Sequence, residues 1–100
     1  MVNKLTTETY EKEVMQAAGT VVVDCYADWC GPCKMQAPII EELSEERKDV
    51  KFCKLNTDES LPIAMELGIA AIPTIIVVKD GVVTFKEAGL MQKSELEALL

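Results

Sequence analysis

Between Val21 and Tyr26 the chain reads Val-Val-Val-Asp-Cys-Tyr, β-branched and almost wholly apolar, with no alternation of apolar and polar positions. Such a run is the pattern of a strand buried on both faces, and it demands cover on both sides of the sheet that contains it. The flanking segments supply that cover. Thr6-Thr7-Glu8 offers a cap and an acidic first turn for a helix through Ala18, closed by Gly19. Lys34 to Lys48 is helical in spacing, with Met35, Ile39 and Leu43 as its apolar positions and Glu41, Glu42, Glu45 and Glu46 mostly facing water. Pro38 lies inside that helix and is expected to bend it.

Val50 to Asn56 reads as a second strand, and Ser60-Leu61-Pro62 starts a short helix that ends at Gly68. Thr74 to Val78 is strand again. Asp80-Gly81 is a turn, Val83 to Lys86 an antiparallel return, and a last amphipathic helix carries Leu96, Leu99 and Leu100. A short edge strand is expected at Val2 to Lys4. The order predicts an α/β fold: a mixed sheet of four or five strands, parallel at its centre, flanked by about four helices. In 100 residues there is no repeat, low-complexity tract or linker, so residues 1–100 are expected to form one domain.

Composition removes whole classes of chemistry. Ten Lys and Arg against 17 Asp and Glu give a net charge of −7, which disfavours contact with phosphate backbones, so no nucleic-acid partner is expected. The absence of histidine excludes Ser-His-Asp and Cys-His catalysis and every His-containing metal site. No apolar run approaches the ~20 residues of a membrane-spanning helix, and Met1 to Leu5 does not read as a signal peptide. A cytoplasmic location, with no membrane partner, is the expectation. The four cysteines are then expected to be catalytic, metal-binding or inert rather than a structural disulfide framework.

The chemistry concentrates in Trp29-Cys30-Gly31-Pro32-Cys33-Lys34, just after the buried strand and at the opening of a helix. Two cysteines on a first helical turn can close a small disulfide. Cys30 is placed at the helix N-terminus, where unpaired N–H groups and the macrodipole favour a thiolate, which is the nucleophilic form. Cys33, one turn inward, is expected to be more shielded and suited to resolving a mixed disulfide. Pro32 stiffens the turn, and Gly31 leaves room for a partner chain.

At these residues the sequence resembles the thioredoxin family. The segment Trp29 to Lys34 matches at every position, Asp24 matches the family's buried carboxylate, and Ile72-Pro73-Thr74 matches the loop whose proline is cis. Lys54, Pro38 and Gly89 fall at matching places, and order and spacing agree along the whole chain. The resemblance implies a protein-disulfide reductase in which Cys30 attacks and Cys33 resolves, needing no bound cofactor beyond the Cys30–Cys33 disulfide and no metal. It is recharged by a thioredoxin reductase and is monomeric by default. With no histidine, Asp24 is the candidate base for Cys33, its pKa raised by burial and tempered by Lys54. Trp29, Gly31, Pro32, Ile72, Pro73 and Gly89 are implied to line a groove for an extended segment of a disulfide-containing protein.

Other readings stay open at this point. Cys25, Cys30 and Cys33 reproduce a C-x4-C-x2-C iron–sulfur spacing with Cys53 as a fourth ligand, and the same four could hold zinc. Strand alternation opposes both, because it turns Cys25 away from Asp24. Cys25 and Cys53 read as small core hydrophobes, with a second redox pair as the rival. Cys25 departs from the family, which commonly carries an aromatic residue there, and Tyr26 stands where many members have tryptophan. An oxidase or isomerase on the same fold, a glutaredoxin, and a non-catalytic subunit that docks a partner strand are the functional rivals. Gly31-Pro32 favours the reductase.

Overall fold

A computed structural model describes residues 1–100. Five strands form one sheet in the order β1-β3-β2-β4-β5: β1 (Asn3–Lys4), β2 (Thr20–Tyr26), β3 (Lys51–Asn56), β4 (Thr74–Lys79) and β5 (Val82–Ala88). β1, β3 and β2 are mutually parallel, β4 runs antiparallel to β2, and β5 runs antiparallel to β4. The expected parallel centre is thus the β3–β2 pair, with an antiparallel half beyond it. The Asp80-Gly81 turn has φ of 49° and 80° and joins β4 to β5. A Cβ on Gly81 would stand 2.8 Å from the Met15 carbonyl, so only glycine fits there. Asp80 accepts the Gly19 N–H through its carboxylate at 2.7 Å and donates its own N–H to the Gly19 carbonyl at 2.9 Å, pinning the hairpin to the start of β2.

The two faces of the sheet bury separate cores. Val21, Val23, Cys25, Cys53, Leu55, Ile76 and Val78 point one way, under Leu5, Tyr10, Val14 and Ile63. Val22, Phe52, Ile75 and Val77 point the other, under Ile40, Leu43 and Leu96. This is the two-sided burial that the unalternating run of β2 requires. Its cover comes from α1 (Gly31–Glu46) and α3 (Lys93–Glu97) on one face, and from α2 (Leu61–Glu66) with a π-helical turn (Glu11–Met15) on the other.

Two helical expectations are corrected. The helix foreseen from Thr6 to Ala18 is a turn followed by the five-residue π-helix Glu11–Met15, closed by the Gln16 N–H on the Glu11 carbonyl at 3.0 Å. The Thr6 hydroxyl accepts the Thr9 N–H at 3.2 Å within the preceding turn, whereas the π-helix itself, with Tyr10 at its N-cap, has no side-chain cap. Tyr10 and Val14, 2% and 0% exposed, are the side chains this segment sends into the core. The second correction concerns α1, which begins at Gly31 and whose buried residues are Cys33, Gln36, Ile40, Leu43 and Ser44. Met35 lies on the outside, 60% exposed. A strict i, i+4, i+8 stripe precesses about 40° per step around a helix, whereas alternating steps of three and four hold one direction.

Candidate active site

Cys30 and Cys33 form a disulfide with their Cα atoms 5.2 Å apart, at the junction of β2 and α1. Cys30 is the N-cap residue of α1, in extended conformation, and its Sγ accepts the Cys33 N–H at 3.2 Å. That N–H is one of the donors a helix start leaves unpaired, so it is free to serve sulfur. Pro32 lies in the first turn, where a missing N–H costs nothing, and no acidic residue there cancels the field of the helix. A Cβ on Gly31 would meet nothing within 4 Å, and Gly31 and Pro32 are exposed, leaving the turn open to an approaching chain. The expected contrast in shielding is absent: Cys30 is 5% and Cys33 4% exposed. Cys30 is tucked toward the loop before β4, its Sγ 3.8 Å from the Ile72 carbonyl oxygen.

Below the disulfide, Asp24 and Lys54 are register partners on β2 and β3. Together with Cys33 and Lys34 they line an open cleft of about 290 Å³. Asp24 is 4% exposed, and its Oδ1 is buried with no hydrogen-bond partner. Burial pushes its pKa up to about 7, against the pull of the nearby Lys54 ammonium. Lys54 is exposed, so its charge tempers the carboxyl without being buried beside it.

On the other side of the disulfide lies a shallow groove. Trp29 is 72% exposed, yet its indole is fixed by donating Nε1–H to Asp58 Oδ2 at 2.8 Å. Asp58 is held in turn, because buried Asn56 accepts the N–H groups of Asp58 and Glu59 at 2.9 and 3.1 Å. Trp29 and Ile72 line the groove with Leu61, Met65, Ile69 and Ala71. The Ile72–Pro73 bond is cis, and the Thr74 hydroxyl closes the loop by donating to the Ala71 carbonyl. Gly89, with φ 116°, donates its N–H to the Pro73 carbonyl at 2.8 Å and so sits beside this loop. All ten residues singled out from the sequence therefore gather at one end of the sheet, around the disulfide. Asn56, Asp58 and Gln36 were missed there. An Asn two residues ahead of an Asp is a recognisable Asx turn, and only that could have flagged the first two.

Cys25 and Cys53 are free thiols in the core on the opposite face. The four sulfurs do not converge, and no cluster of metal-ligating side chains forms. Burial raises the thiol pKa of Cys25 to about 12 and of Cys53 to about 11, so neither carries the thiolate that exchange chemistry needs. The Tyr10 hydroxyl lies in this core without a partner, its pKa raised by burial and then by the two thiols.

The family model for thioredoxin matches residues 1–100. Thioredoxin of Rickettsia felis is 46% identical over 97 residues, covering 96% of this chain and 92% of its own. Thioredoxin of Pseudomonas aeruginosa is 41% identical over 97 residues, covering 96% and 90%. Thioredoxin 1 of Synechococcus elongatus is 40% identical over 93 residues, covering 92% and 87%.

Proposed function

The chain belongs to the thioredoxin family and is a thiol–disulfide oxidoreductase, and from that premise we propose how its residues divide the reaction. Cys30 thiolate attacks one sulfur of a disulfide in a protein substrate, forming a mixed disulfide and expelling the other substrate sulfur, which takes up a proton. Cys33 then loses its proton to the Asp24 carboxylate through the cleft both line, and its thiolate attacks Cys30 Sγ. The second substrate thiol leaves, taking a proton back from Asp24. The substrate gains two electrons and two protons, and Cys30–Cys33 becomes the disulfide. A pKa of about 7 suits Asp24 to accept and return a proton near neutral pH. Lys54 keeps that pKa from rising further.

The observation that carries this division is the disulfide capping α1, whose Cys33 shares a cleft with a buried carboxyl that has an unpartnered Oδ1. Trp29, Gly31, Pro32, Ile72, Pro73 and Gly89 hold an extended substrate segment across Cys30. A thioredoxin reductase returns the electrons, residues 1–100 work as one monomeric domain, and the setting is the cytoplasm, where reductases keep thiols reduced. The net charge of −7 argues against nucleic acid as a partner. Cys33→Ser tests the order of attack: it should accumulate mixed disulfides on Cys30 that a reducing agent releases. Covalent complexes formed instead by Cys30→Ser, through Cys33, would reverse the roles. Recovery of the same partners by a variant lacking both thiols would favour simple docking.

A further inference from the structure

We propose that Gln36 is a positioning residue for protein substrates, its side-chain amide locking the loop around Gly89 to the helix that carries Cys33. Gln36 is 0% exposed, on a face of α1 otherwise made of Cys33, Ile40, Leu43 and Ser44. Its Oε1 accepts the Met91 N–H at 2.8 Å, and its Nε2 donates to the Met91 carbonyl at 3.1 Å. The amide thus takes both backbone groups of one residue, as a neighbouring strand would, in a stretch between β5 and α3 that has no strand neighbour. Two residues earlier, the Gly89 N–H holds the Pro73 carbonyl. A closed path results: from Cys33 one helical turn to Gln36, across to Met91, back to Gly89, and across to Pro73 beside Cys30.

Stability gives little reason for an amide at this place. Burying it costs about what its two hydrogen bonds return, and an apolar side chain of the same size would bury more favourable surface. What the amide adds is direction, since a two-point contact fixes the loop both along and across the helix. Attack on a disulfide needs the reacting sulfurs held in line at close approach, so a displaced groove wall is felt in substrate binding.

The inference rests on the reading that Pro73 and Gly89 border the substrate groove, and the test separates the two. Gln36→Met keeps length and volume but cannot hydrogen-bond. With the full chain and insulin as the probe substrate, dithiothreitol supplying electrons, the KM should rise about fivefold while kcat stays within about twofold and the midpoint potential of the couple does not move. An unchanged KM, or a KM change accompanied by a shifted potential, overturns the inference. Trp29→Ala is measured alongside: a raised KM there with none in Gln36→Met leaves the groove standing and removes Gln36, whereas no rise in either removes both. Should Gln36→Met fail to fold, Gln36→Asn, which withdraws the amide by one methylene, is judged by the same readouts.

Discussion

Asp24→Asn should make the protein more stable at pH 8, a gain that is lost as the pH falls toward 4. In the unfolded chain this carboxyl ionises near 3.8, but in the folded protein only near 7, because burial penalises the charge more than Lys54 relieves it. The folded state therefore holds a proton that the unfolded state has released, throughout the interval between those values. Unfolding then becomes easier as pH rises through that interval and levels off above about 7. At about 1.4 kcal/mol per pH unit the accumulated penalty is about 4 kcal/mol at pH 8 and near zero below about pH 4. Asparagine removes the titration but leaves a buried amide short of partners, which returns about 1–3 kcal/mol of the gain. Urea denaturation of the oxidised protein and of the variant, at a series of pH values, measures this directly. The stability difference should grow by about 4 kcal/mol between pH 4 and pH 8, leaving a net gain of about 1–3 kcal/mol at the upper end. A difference that stays constant with pH would refute the reasoning, because it would mean that Asp24 ionises in the folded protein as it does in the unfolded one.

Lys54→Met should push the Asp24 pKa still higher, since the lysine is the one group that lowers it; the pH at which the substrate-reduction rate reaches half its plateau should move up, and a downward or absent move would remove Lys54 from the site. Tyr10→Phe deletes a buried hydroxyl that has no partner, so thermal denaturation should show a gain of about 1 kcal/mol or less, and a clear loss would reveal a partner for that group.

The layered architecture was legible because its signals are local. A strand without alternation announces cover on both faces, Asp-Gly announces a hairpin, and Leu61-Pro62 announces a helix start. The redox pair was legible for the same reason, as both sulfurs and the helix that activates them lie within a few residues. What escaped was non-local. Gln36 reads as a polar, outward residue until Met91, 55 positions away, is brought alongside to satisfy its amide. The stripe of Met35, Ile39 and Leu43 therefore included Met35, which faces out, and passed over Gln36, which faces in. The π-helical turn likewise escaped, since Tyr10 and Val14, buried under the sheet, are spaced as they would be on an ordinary helix. Asp58 became part of the site only through the indole of Trp29, on another loop.

The division of the interior into two cores has a consequence for a protein that trades disulfides. Exchange propagates wherever a thiol can line up with a disulfide, so spare cysteines are a route to scrambled internal pairings. Here Cys25 and Cys53 lie inside the core on one face of the sheet, whereas the Cys30–Cys33 couple lies beyond the end of β2, at the start of α1. The packed core acts as the insulator: redox equivalents pass in and out at the rim of the sheet, and the spare thiols stay out of line with the couple.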